Sequence, residues 1–242
     1  MTETSVRVAG LDGCRGGWVL ATASIDPASS AGDLQLHDIE VTVTRSFGEV
    51  VDRVRSGSIA ALGVDMPIGL PERGQRSADQ AARRRLGPRR SSVFPTPLRA
   101  TLDAADYPDA LARSRAIDGR GLSKQAFNLL PAIAEVDAAI GPELQDRVIE
   151  CHPETVFARL NGGPVHTRKH DAEGLAERRR LLHPWLADGL AVIDPTPRGA
   201  KADDVLDALA VALTAARLTI GDVDHLGDGE RDARGLVMEI VV

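Results

Sequence analysis

Apolar positions along the chain change rhythm in a way that sketches a fold. Val6 to Ala23 contains two short apolar runs separated by a glycine-bearing turn, Gly13 to Gly17, the pattern of a β-hairpin. Leu34 to Thr44 then alternates through Leu34, Leu36, Ile39, Val41 and Val43, and the slip between Leu36 and Ile39 predicts a bulge near His37-Asp38. Three strands with short connections are most simply an antiparallel meander. The period becomes helical over Ser46 to Ser56 (Phe47, Val50, Val51, Val54), with Ser46 placed as N-cap and Glu49 three residues on, as in a capping box. Ile59 to Met66 is a continuous apolar run, which suits a strand covered on both faces, and the prolines at 67 and 71 end it.

From Pro71 to Gly141 the chain is mostly helical and polar. Ser77 to Leu86 reads as a helix, Ser91 to Pro97 as a Pro-bounded extended loop, and Gly121 to Ala139 as a helix that Pro131 should kink or restart. Arg147 to Cys151 predicts a short strand, and Pro153 opens a helix running to Leu160. A Gly/Pro/His/Lys loop, Gly162 to His170, leads to a charged helix over Asp171 to Ala187 and a short strand at Leu190 to Ile193. In the last helix, Lys201 to Ile220, Val205, Leu206, Leu209, Leu213 and Ala216 share one face. Asp203, Asp204 and Asp207 lie opposite, but Val211 and Leu218 continue their side. A helix apolar on both sides is packed on both sides, so Asp204 and Asp207 should face protein. Leu236 to Val242 reads as an edge strand or a dimer contact.

Composition narrows the classes. A chain of 242 residues with 43% hydrophobic and 26% charged residues is ordinary for a globular protein, and with 3% aromatics its core must be aliphatic. A net charge of −6 argues against a general nucleic-acid coat protein or a membrane-surface binder, while leaving room for a local basic patch. Two cysteines, Cys14 and Cys151, make no disulfide framework, so a cytoplasmic location is expected. The first ten residues lack the apolar core of a signal peptide, and no run reaches membrane-spanning length.

The chemistry lies in the carboxylates. Asp12 ends the first strand, Asp65 the fourth and Glu150 a later one, and Asp204 and Asp207 sit in the final helix. Turn formation also accounts for Asp12-Gly13 and for Asp65, and an N-cap or first-turn role for Asp203 and Asp204. Asp207, a full turn into the helix, is left over. If the first and fourth strands are neighbours and the final helix crosses them, three or four carboxylates converge. Such a cluster needs compensating positive charge, and hard oxygen donors suit Mg²⁺ or Mn²⁺. Two ions about 4 Å apart would clamp a phosphodiester, so the reading is metal-assisted phosphodiester hydrolysis. Arginines cluster from Arg73 to Arg99, either as a solvated helix face with pairs such as Asp79–Arg83 or as a phosphate-facing patch. Cys14, Cys151 and His152 lack the spacing of a zinc site.

The segment Asp204-Val-Leu-Asp207-Ala-Leu-Ala resembles the D-x-x-D-A-x-A helix of RuvC-type Holliday junction resolvases. More broadly, GLDGCRGGWV, GVDMPIGLP, RSADQAARRRLG, SSVFPTPLR, GLSKQAFNLLPAIAEVD, ECHPETVF and DDVLDALAVALTA resemble, in this order and over nearly the whole chain, the domain of unknown function four-twenty-nine family, described as predicted RNase H-like nucleases. The resemblance implies an α/β ribonuclease H-like fold: a mixed sheet with an antiparallel three-stranded meander and flanking helices. It implies one domain over residues 1–242 with a mostly helical insertion at about 71–145. It implies Asp12 and Asp65 as metal ligands, Asp65 standing where RuvC-type enzymes often carry Glu, with Asp204 and Asp207 as the helix pair and Glu150 as an additional acid. Arg15, Arg83, Arg84, Lys124, Gln125 and His152 are the candidate substrate contacts. The expected function is a metal-dependent nuclease using Mg or Mn on DNA or RNA, with a homodimer as one possible assembly. The alternatives are a non-catalytic nucleic-acid or protein binding module on the same fold and an actin-like phosphotransferase, which would need a second copy of the core.

Overall fold

The computed structural model describes residues 5–194 and 196–242, so the first four residues of the expected domain and Pro195 lie outside the described residues. Strands β1 (Val6–Cys14), β2 (Gly17–Ile25) and β3 (His37–Thr44) form the expected meander. The β1–β2 hairpin closes through Arg15-Gly16, with Gly16 at φ +85°, a conformation that costs glycine little. The bulge appears where the alternation slipped: Asp38 takes φ +47°, and the β2–β3 register shifts between Thr22 and Ser24. Helix α1 (Phe47–Arg55) follows, its cap made by the Ser46 hydroxyl accepting from the Glu49 amide at 3.2 Å. Strand β4 (Ala61–Val64) is shorter than the apolar run and leaves Asp65 just beyond its end.

Between β4 and β5 (Val148–Glu150) the chain builds α2 (Ser77–Leu86), α3 (Tyr107–Asp118) and α4 (Lys124–Ala139). Helix α4 continues across Pro131, neither restarting there nor beginning at Gly121. Beyond β5 come α5 (Pro153–Leu160), α6 (Ala172–Leu182) and α7 (Ala202–Thr219). The charged helix is shorter than its pattern, because Pro184 tightens its end into a 3₁₀ turn at His183–Trp185. Leu190–Ile193 is likewise a 3₁₀ turn and not a strand. The C-terminal segment is no free edge: β7 (Ile240–Val241) pairs with β6 (His225–Leu226), and Leu236, Met238 and Ile240 to Val242 are buried inside the chain. That removes the basis for a dimer contact there. Among the described residues no helix is long and apolar enough to cross a membrane.

The main sheet runs β3-β2-β1-β4-β5, antiparallel across β1–β3 and parallel where β4 and β5 join β1, with helices on both faces, which is the ribonuclease H-like layout. Strand alternation divides the core into two layers. Ala9, Leu11, Leu62 and Val64 face α1 and α4, whereas Val8 and Ala61 face α7 together with α5 and α6. Gly10 and Gly63, paired across β1 and β4, belong to the α7 side. A Cβ at Gly10 would lie 2.2 Å from the Ala208 carbonyl oxygen and 2.3 Å from the Ala212 nitrogen, and one at Gly63 would lie 2.6 Å from a Val211 methyl. Helix α7 therefore rests directly on backbone, which explains its burial on nearly every side.

Gly10→Ala should destabilise the fold by more than about 3 kcal/mol, because α7 has no flexible atom to yield at that point. Gly48→Ala, an open helical position, should stabilise by up to about 1 kcal/mol through helix propensity. Denaturant melts of both variants check the pair, and a near-neutral Gly10→Ala would refute the close seating of α7.

Candidate functional site

The parity that places Gly10 and Gly63 under α7 also places the next residues of the same face, Asp12 and Asp65. Leu11 pairs with Val64 in the parallel register, and the Asp65 amide donates to the Leu11 carbonyl at 2.9 Å, so the two aspartates stand side by side where β1 and β4 end. Asp207 enters from above, one residue before the Ala208 that touches Gly10. Asp12 and Asp207 are 5% and 1% exposed, which makes their charges costly. Burial foremost, and then the nearby Asp207 and Asp65 charges, push the Asp12 carboxyl well above the ordinary value. Burial likewise pushes Asp207 up to about 6, against the pull of Lys169.

Lys169 is the residue that the sequence reading missed. Its Nζ lies 2.7 Å from Asp207 Oδ2 and 3.9 Å from Asp203 Oδ2, and against the desolvation that lowers it, Asp207, Asp12 and Asp65 raise its pKa. It comes from the loop before α6, where His170 Nδ1 lies 2.9 Å from Asp203 Oδ2. The available signal was the consecutive Arg168-Lys169-His170 in an acidic chain. Glu154, at the start of α5, was also missed. One oxygen accepts from Arg178 at 2.6 Å, the other has no partner, and its charge adds to the upward push on Asp207.

The remaining expected residues separate clearly. Asp204 lines the same cavity but spends Oδ2 on the Lys201 amide at 2.9 Å, the capping role that the sequence also allowed. Glu150 pairs in register with Val64 and so belongs to the opposite face from Asp12 and Asp65. Its two oxygens accept from Arg76 at 2.6 Å each, and one also accepts from the Ile68 amide at 2.7 Å, so it is a structural anchor and not a free acid. Asp79 completes that buried group with Arg76 and Thr96 and makes no pair with Arg83. Arg83 instead donates to the Val93 carbonyl at 3.0 Å, Arg84 is exposed away from the cavity, Arg15 sits at the exposed hairpin tip, and Lys124 lies 5.9 Å over the Tyr107 ring. None of these four lines the cavity, whereas Gln125 and His152 do. The cavity is about 540 Å³, with Asp12, Asp65, Asp204 and Asp207 along one side.

A sequence-family profile described as "Protein of unknown function (DUF429)" matches residues 10–232. The chain belongs to this family. Two solved structures are similar to this DUF429 chain: Thermus thermophilus RuvC, with a TM-score of 0.36 and 16% identity over 90% of this chain and 98% of that one, and T. thermophilus RuvC in complex with a Holliday junction substrate, with a TM-score of 0.35 and 16% identity over 90% and 97%. Among curated proteins, none matches.

The donor set suits a hard divalent cation. Asp207 Oδ1 is buried without a hydrogen-bond partner, and Asp12 beside it carries a charge that its surroundings resist. Among the described residues no three carboxylate, His or Cys groups already close around one point, and Lys169 supplies the counter-charge.

A carboxyl raised in the folded chain keeps a proton that the unfolded chain has released, so stability is complete at low pH and falls as pH rises through the folded value. Without divalent ions, Asp12→Asn should melt above the parent chain at pH 8, and the gap should close toward pH 5. Each kilocalorie recovered corresponds to about 2–4 °C in Tm for a chain of this size. Melting curves at the two pH values check this, and a gap that ignores pH would exclude the repulsion.

Proposed function

We propose that this DUF429 chain is a metal-dependent phosphodiesterase acting on nucleic acid, with Asp12, Asp65 and Asp207 holding Mg²⁺ or Mn²⁺ and Asp204 at the rim. The observation that carries this reading is the partnerless Asp207 Oδ1, buried beside Asp12 and next to Asp65, with Lys169 as the cation that pulls against the burial of Asp12 and Asp207. Acids kept together at such a cost in stability are more readily explained by chemistry than by folding. A bound divalent ion would neutralise phosphate charge and lower the pKa of an attacking water.

The chain's own residues supply the rest. Asp12 and Asp65 come from strand ends fixed by the sheet, and Asp207 from a helix locked onto that sheet, so their spacing is set before substrate arrives. Lys169 holds Asp207 against its own burial and stands beside Arg168, which extends the positive charge into a surface suited to phosphate oxygens. The loop bearing Lys169 follows Gly162, at φ +69°, and Gly163.

Cleavage of labelled DNA and RNA with Mg²⁺ or Mn²⁺ tests the reading. Asp207→Asn should lower turnover by at least 100-fold while leaving the fold intact. Titration calorimetry should register Mn²⁺ binding to the parent chain, little to Asp12→Asn, and tighter binding to Lys169→Met, which removes the competing ammonium. No turnover and no Mn²⁺ binding, with salt-sensitive nucleic-acid binding retained, would identify a non-catalytic binding module instead.

A further inference from the structure

The shape of the cavity restricts what can reach the acids. Its volume of about 540 Å³, equivalent to a cube roughly 8 Å on a side, falls in the ~300–1,000 Å³ range of pockets that engulf a small ligand. Duplex DNA, whose major groove alone is about 12 Å wide, is larger than a space of that size and would lie across its mouth. The lining is also mixed in chemistry. Part of it carries the acids with Lys169 and Arg168. The segment between β4 and β5 contributes Phe94 and Leu129, both half-buried, together with the exposed amide of Gln125 and the polar Arg89, Ser91 and Ser92. Phe94 and Leu129 are apolar positions in a lining otherwise rich in charge and hydroxyls, and tracking a phosphate backbone alone would have no use for them. An aromatic and an aliphatic side chain in one cavity with cationic and metal-suited groups match the two ends of a single nucleotide, a stacking base and a charged phosphate.

On the basis of the phosphodiesterase reading, we infer that the substrate is an unpaired nucleotide of a single strand, its base held against Phe94 and Leu129 and its phosphate directed toward Lys169 and the three aspartates. Paired strands must first open or fray to be cut. The cavity distinguishes paired from unpaired nucleotides, and the sugar is left to be sorted by the DNA and RNA arms of the test.

Fluorescence anisotropy in EDTA, where cleavage is blocked, gives a readout independent of turnover. Labelled single-stranded DNA and RNA of mixed sequence should bind the parent chain at least 10-fold more tightly than the blunt duplex of the same sequence. Stacking worth about 1–3 kcal/mol per base predicts a loss of roughly 5- to 150-fold for Phe94→Ala. Gln125→Ala, at an exposed position that leaves the fold alone, should weaken single-strand binding by a smaller factor. Arg84→Ala, outside the cavity on α2, should stay within twofold. Duplex binding equal to single-strand binding, or an Arg84→Ala loss as large as that of Phe94→Ala, would overturn the inference and place the strand on the outer face of α2. Hydrolysis of the small diester bis(p-nitrophenyl) phosphate separates the two readings. If it is cleaved while strands show no preference, the phosphodiesterase survives and the nucleotide cavity fails. If it is not cleaved while the preference holds, the cavity survives as a binding site and the catalytic reading fails.

Discussion

The structure depends on one close approach, helix against bare backbone at Gly10 and Gly63. Hydrophobic area alone would let α7 settle on the sheet at the usual side-chain distance. Two glycines in register on adjacent parallel strands bring it closer, and this proximity sets Asp207 over Asp12 and Asp65. The same two-residue period that buries Val8 and Gly10 carries Asp12 onto the covered face, and on β4 it does so through Ala61, Gly63 and Asp65. The packing that stabilises the fold thus imposes an electrostatic strain at its edge.

That strain is only partly relieved. Burial raises Asp12 and Asp207, and Lys169 pulls both back without restoring them to ordinary values. A single flexible ammonium beside three acids is an incomplete solution, and Asp207 Oδ1 marks what is unfinished. Elsewhere every oxygen finds a donor: Glu150 and Asp79 share Arg76, and no oxygen of Glu150 is left without one, although burial still raises its carboxyl against the pull of Arg76. The contrast between a satisfied buried cluster and an unsatisfied one, both lining one cavity, separates structural from chemical acids better than burial does.

Much of this was legible in the residues, for definable reasons. The meander, its bulge, the Ser46 cap and the long two-sided helix are local patterns, and local patterns survive into the fold. Asp207 stood out because capping could not account for an acid a full turn inside an apolar helix. That Glu150 turns to Arg76 and away from Asp12 and Asp65 was not legible, because its face depends on the register of β5 against β4, which no single strand encodes. Arg83 and Arg84 looked like a phosphate patch, yet a run of arginines does not disclose which of them the backbone will use; Arg83 serves the Val93 carbonyl. Lys169 was passed over because a Gly/Pro/His/Lys loop has no period from which its direction could be read.

The guanidinium of Arg76 ties α2 to the end of β5 through charge-assisted bonds in a dry interior. Outward swinging of that side of the cleft would strand two anions with no water to receive them, a far steeper penalty than parting apolar surfaces. The Arg76 side of the cleft mouth is therefore a stiff jaw that holds its position.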